Sequence, residues 1–171
     1  AAVLLDDVLE AYLGNANTRT AALAATGSAW LAAGDADRAL KLARQARDED
    51  LRSSVPVLLA LDLMSVKPEA EALVISYLKA PGAEVALRRG YAAALLSLQR
   101  YADAQAQLEI VTREHPQLPG PWLTLGALQV ELRQPQDAEQ SLQRFVSLMQ
   151  APTQTPTQTP TQSQADPSAE S

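Results

Sequence analysis

The sequence predicts an all-α protein, a right-handed solenoid of about three and a half helix-turn-helix repeats followed by a disordered tail. Three observations predict it. Ala39, Ala72, Ala104 and Ala138 stand 33, 32 and 34 residues apart, each early in an apolar run that reads as the second helix of a pair. Hydrophobic residues make up 47% of the chain but aromatics only 4%, and this small-residue, Ala- and Leu-rich composition suits close helix packing better than a sheet core. From Ala151 the text changes to a short Pro-Thr-Gln-Thr period. A period near 33 residues marks stacked helical units, because one pair leaves a hydrophobic face uncovered until a neighbour packs on it.

Residues 1–14 begin the chain with an apolar stripe of Val3, Leu4, Val8, Leu9 and Tyr12, which predicts an amphipathic helix over 2–13, the second helix of a preceding, truncated repeat. The first full repeat spans 20–53 and carries Gly27, Trp30, Gly34, Ala39 and Ala46. A shortened unit, 54–84, follows: a helix over 57–64, a break at 65–67, and a helix over 68–79 with Ala72, Leu73 and Tyr77. The third unit, 85–118, holds Tyr91, Ala92, Leu95, Tyr101, Ala104, Leu108 and Pro116. The last, 119–150, holds Trp122, Leu125, Gly126, Ala138, Leu142 and Phe145. With the leading segment this makes about nine helices. Pro68, Pro121 and Pro135 stand where a helix can begin, since the first turn tolerates a missing amide donor, and Gly34 and Gly82 mark breaks. Asp37, Glu69 and Glu71 fall in first turns and Arg47 and Lys79 in last turns, as the helix macrodipole favours.

Residues 1–150 thus form one repeat domain, and 151–171 a tail without a large apolar side chain, unable to offset its ordering entropy. Pro152, Pro156 and Pro160 favour extended conformers, which suits a passive spacer, with a docking or O-glycosylated segment as the alternative.

The last repeat resembles the tetratricopeptide repeat family, whose 34-residue consensus places Trp at position 4, Leu-Gly at 7 and 8, an aromatic at 11, Ala at 20 and Pro at 32. Trp122, Leu125, Gly126, Ala138 and Leu142 match, whereas Gln129, Phe145 and Gln150 depart from positions 11, 27 and 32, as in a terminal, capping-like unit. Gly27, Trp30, Gly34, Ala39 and Ala46 of the first full repeat match positions 8, 11, 15, 20 and 27. The resemblance implies a groove lined by first helices, at positions 2, 5, 6, 9, 12 and 13. In the first full repeat these are Ala21, Ala24, Ala25, Ser28, Leu31 and Ala32, and in the short one Val55, Leu58, Leu59, Asp62 and Ser65. The third repeat supplies Ala86, Arg89, Gly90, Ala93, Leu96 and Ser97; the last supplies Gly120, Leu123, Thr124, Ala127, Val130 and Glu131. The candidate protein-binding residues are Ser28, Leu58, Asp62, Arg89, Ala93, Leu96, Leu123, Ala127, Val130 and Glu131. Some family members grip a terminal carboxylate with Lys, Asn and Arg at positions 5 and 9. Ser28, Asp62, Ala93 and Ala127 at position 9 do not support such a clamp here. Arg89 reads either as a solvated or paired charge or as a contact for an acidic ligand, and Asp62 either as a groove contact or as the partner of Arg89. Trp30 and Trp122 occupy positions that pack between helices, so both are expected in the core.

The function this implies is a non-catalytic protein-protein interaction scaffold that takes a peptide or protein segment in its groove. A structural segment or accessory domain of a longer repeat protein or enzyme is the alternative. The formal charge of -6 and the pI near 4.8 repel a phosphate backbone, excluding nucleic acid as the expected partner. There is no cysteine, and no run approaches the ~18 apolar residues that span a bilayer. His115 is the only histidine, in a repeat junction without a nucleophile elbow, phosphate loop or carboxylate pair, so neither catalysis nor a cofactor is expected. The run Asp48, Glu49, Asp50 lacks the spaced ligands of a calcium loop and reads as a solvated corner. The chain starts at Ala1 without a basic segment leading into an apolar one, which leaves room upstream for a removed signal peptide or further repeats. The Gly34–Leu40 stretch looks like bacterial envelope-associated members of the family, which leans the compartment to periplasm or envelope, with cytoplasm as the alternative. A homodimer through the uncovered face of the N-terminal helix is a further option.

Overall fold

The computed structural model describes residues 16–150; the leading helix over 2–13 and the tail from 151 lie outside the described residues. Within that span eight α-helices follow one another: α1 (Ala16–Ala32), α2 (Ala36–Glu49), α3 (Val55–Leu63), α4 (Glu71–Leu78), α5 (Val85–Ser97), α6 (Tyr101–Glu114), α7 (Pro119–Glu131) and α8 (Pro135–Gln150). A 3₁₀ turn, Pro68–Ala70, leads into α4. Each odd-numbered helix packs on the even-numbered one that follows, and α2 and α6 pack on the first helix of the next pair. First helices also touch one another, α1 with α3 and α3 with α5, so two layers run side by side. This is an α-solenoid built from helix-turn-helix units.

Three of the four units share one turn, and its geometry explains their common length. Gly34, Gln99 and Arg133 have φ of 88°, 59° and 58°, the left-handed region. Each ends its first helix with a paired closure: the amides of Gly34 and Asp35 donate to Leu31 and Trp30, those of Gln99 and Arg100 to Leu96 and Leu95, and those of Arg133 and Gln134 to Val130 and Gln129. Only Gly34 advertised this turn in the sequence. Asp35 then caps α2, its Oδ1 accepting from the Arg38 amide at 3.0 Å.

The second unit lacks that turn, and two expectations change there. The first helix occupies Val55–Leu63 rather than 57–64. The small residue that lets the second helix approach is Ala70, fully buried, while Ala72 is exposed. The 3₁₀ entry rotates the chain so that the buried alanine arrives earlier, and Ala70 stands 34 residues before Ala104. The expected helix start at Pro121 also moves, to Pro119, with Pro121 buried in the first turn.

Close approach of neighbouring helices is visible at two glycines. A Cβ on Gly27 would lie 2.5 Å from Leu59 Cδ2, and one on Gly126 would lie 2.8 Å from Leu142 Cγ and Cδ2. The main core runs through the described units, from Trp30 and Ala39 through Val57, Leu63, Val74, Tyr91 and Leu95 to Leu125 and Leu128, and Leu23, Ala24 and Ala46 form a smaller one between α1 and α2. Trp30 is 9% exposed, and the guanidinium carbon of Arg38 lies 4.3 Å from the centre of its ring. Trp122, expected in the core, is only half-buried, and its indole N–H donates to the Pro116 carbonyl at 3.0 Å, tying α7 to the preceding junction. At the last unit the aromatic position is filled by buried Gln129, whose Oε1 accepts from the Ser141 hydroxyl at 2.7 Å, so a polar bond joins α7 and α8 where the first unit uses the ring of Trp30.

Charges reinforce the seams. Arg100 pairs with Glu71 and Asp103, each at 2.7 Å, and Tyr91 donates to Glu71 at 2.5 Å, linking α4, α5 and α6. The Arg100 guanidinium, aided by the Tyr91 hydroxyl, holds the Glu71 carboxyl below the usual carboxylate range. Burial and the bond to Glu71 raise the Tyr91 phenol above its ordinary value. Lys67 meets Asp37 at 2.6 Å across the first two units. Of the acidic corner, Glu49 pairs with Arg19 at 3.1 Å and Asp50 accepts from the Arg52 amide at 2.8 Å.

Candidate protein-binding groove

Helices α5 and α7 are the first helices of successive units, and their sequences place small residues where they face one another. Gly90 and Ala93 on α5 and Gly120 on α7 leave no side-chain bulk between the helices. A cavity of about 490 Å³ results, lined by Ala86, Arg89, Gly90, Ala92, Ala93, Leu96, Leu108, Gly120, Pro121 and Thr124. Its floor is the buried pair Ala92 and Leu108, and its rim carries the Arg89 guanidinium. A Cβ built on Gly120 would lie 3.9 Å from an Arg89 Nη, so the charge extends across the first turn of α7.

The two adjacent arginines differ in what they touch. Arg88 donates to Gln107 Oε1 at 3.0 Å and to the Leu78 carbonyl at 3.1 Å, bracing α4, α5 and α6. Arg89 is exposed and makes no ion pair or hydrogen bond among the described residues. Asp62, weighed as its partner, is itself exposed and does not reach it; a carboxylate left in water needs no internal cation.

The remaining candidates are spread along the same layer. Ser28 is exposed on α1, its hydroxyl donating back to the Ala24 carbonyl at 3.1 Å. On α3, Leu58 is 52% exposed beside Asp62. Arg89, Ala93 and Leu96 come together in the cavity, and with them Ala86, Gly90, Gly120 and Thr124. Leu123, Ala127 and Glu131 are exposed on α7 outside it. Val130 lines a different hollow, about 710 Å³, with Pro135, Leu142 and Val146 at the end of the array. The cavity floor was not among the candidates. Ala92 and Leu108 read in sequence as packing positions, and a small residue over a core leucine carries no signal that the space above it is open.

Chemically, the cavity offers an apolar floor, small walls and one cation at the rim. Such a surface is chemically suited to an extended segment, through apolar burial, and to a carboxylate, through a charge-assisted hydrogen bond. Half-buried His115 closes α6, and no group of His, Asp and Glu able to hold a metal exists among the described residues. No helix among them is long and apolar enough to cross a membrane.

No family model matches the chain, and no curated protein matches it. Solved structures do. MamA from MSR-1 aligns with a TM-score of 0.58 at 17% identity, over 87% of this chain and 85% of that one. MamA from Desulfovibrio magneticus RS-1 gives 0.58 at 13%, over 89% and 97%. PilF of Pseudomonas aeruginosa gives 0.55 at 17%, over 78% of this chain and 62% of that one. These are tetratricopeptide-repeat proteins, and the likeness establishes that fold for this chain.

Proposed function

We propose, from the premise that this chain has the tetratricopeptide-repeat fold, that it is a non-catalytic protein-interaction scaffold binding a peptide or protein segment along its first helices. The observation that carries the proposal is the cavity between α5 and α7, where exposed Arg89 stands over an apolar floor without an ion pair among the described residues. Exposed Leu58 and Leu123 extend the same layer and supply apolar area on either side. The bound segment is extended or helical and contributes a carboxylate to Arg89. The resemblance of the Gly34–Leu40 stretch extends the proposal to assembly of a bacterial envelope complex, which fractionation of the native host checks directly.

The test is affinity capture with the full chain beside an Arg89→Glu/Leu123→Glu variant, the two matched for helicity by circular dichroism. A partner held by the first is expected to fall at least tenfold on the second. Equal retention overturns the groove reading.

A second reading, a structural segment of a longer array or an accessory domain, is favoured by the end face of α8. There Val130 and Val146 are 55% and 45% exposed around the 710 Å³ hollow, an apolar face of the kind a following helix covers.

A further inference from the structure

We infer that the Arg89 groove is the docking site of this chain's own acidic segment 166–170, which competes there with an outside partner. The inference rests on the groove reading above and adds its regulation.

Three observations converge. The first is register. Gly126 packs against Leu142, and Gln129 bonds to Ser141, so α7 and α8 run antiparallel with paired residue numbers summing to 268 and 270. Continued along both helices, that register brings Met149 and Gln150 level with Gly120, in the first turn of α7. The chain therefore leaves α8 at the same end of the array as the Arg89 rim.

The second is reach. Asp166 stands 16 positions beyond Gln150. A Pro-rich segment of that length spans up to ~50 Å at ~3.1 Å per residue. The path around one helix, ~10–12 Å in diameter, needs much less. Tethering at this length sets an effective concentration in the millimolar range, enough for a weak contact to be populated.

The third is chemistry. The tail's charged residues are Asp166 and Glu170, and it contains no Lys or Arg. Between them stand Pro167, Ser168 and Ala169, side chains small enough for walls made of Gly90, Ala93 and Gly120. The end hollow at α8 is no rival for this segment, because it calls for large apolar groups and the tail has none. Arg89 stands at the rim of the groove and makes no ion pair among the described residues.

The test uses the full chain. It has no cysteine, so a single Ser168→Cys change takes one nitroxide spin label between the two carboxylates. Paramagnetic broadening of backbone amides is then compared between the groove (Gly90, Ala93, Gly120, Thr124) and the outer helices (Ala106, Gln140). Docking broadens the groove amides selectively, Arg89→Lys preserves the effect, and Arg89→Glu or 1 M salt abolishes it. Groove amides no more broadened than Ala106, or broadening indifferent to Arg89→Glu, overturn the inference. If the tail leaves the groove untouched while partner capture still depends on Arg89, the inference fails and the groove reading stands.

Discussion

Replacing Gly27 with alanine tests the close approach of the first two units through a double-mutant cycle. The added Cβ would lie 2.5 Å from Leu59 Cδ2, and Leu59, 2% exposed, has little room to turn away. Overpacking of this kind costs ~1–3 kcal/mol, while alanine in place of glycine within a helix returns ~0.8–1 kcal/mol. The net expectation for Gly27→Ala is a loss of about 0–2 kcal/mol. Leu59→Ala alone removes a buried side chain and costs ~2–5 kcal/mol. In that background the clash is gone and the propensity gain remains, so Gly27→Ala becomes stabilising by about 1 kcal/mol. The coupling is thus ~1–3 kcal/mol in favour of the double variant. Urea titration followed by circular dichroism and by fluorescence of Trp30, which lies in the same unit, measures it. The slopes must agree between probes, since repeat arrays can unfold in parts. A Gly27→Ala effect of the same size and sign in both backgrounds would refute the argument that Leu59 and Gly27 define this approach.

Other expectations follow from the remaining seams. Gln99→Gly and Arg133→Gly relieve left-handed backbone at exposed positions and are each expected to raise stability by up to ~1 kcal/mol, read as a higher urea midpoint. Ser141→Ala strands the buried Gln129 amide and costs ~1–3 kcal/mol, whereas Gln129→Leu/Ser141→Ala is close to neutral; a double variant as unstable as the single one contradicts this. Because Glu71's folded pKa lies below its unfolded value, its contribution is present above the unfolded value and fades as pH falls through the folded one. The pair is partly exposed, so the amount is about 1 kcal/mol or less, and Glu71→Gln is expected to flatten the acid limb of the stability curve below about pH 4.5. Trp30→Ala is expected to cost ~3–5 kcal/mol and half-buried Trp122→Ala distinctly less, compared by thermal melts.

The repeat architecture was legible because its signals are local and periodic. Ala39, Ala104 and Ala138 are buried at the second-helix contact, and Gly27 and Gly126 sit where helices touch. The short unit was legible as short but not in register, because a 3₁₀ turn hands the contact to Ala70 instead of Ala72, and no local propensity separates the two alanines. The left-handed turns at Gln99 and Arg133 were hidden for a related reason: glycine marks that geometry and neither residue is glycine. The Glu71, Tyr91 and Arg100 cluster spans 29 positions of sequence and exists only after three helices stack. For the groove, family positions pointed to Arg89, Ala93 and Leu96, but the floor of Ala92 and Leu108 and the freedom of Arg89 from Asp62 depend on packing that periodicity does not encode.

The central claim is that partners meet the first-helix layer and not the outer one. Photo-crosslinking tests it most directly, with a photoreactive amino acid placed at Ala93 in the groove or at exposed Ala106 on α6, in the full chain within its native host. The account expects a discrete adduct from Ala93, lost on Arg89→Glu, and none from Ala106. Equal adducts from both positions, or an adduct from Ala106 alone, would contradict it.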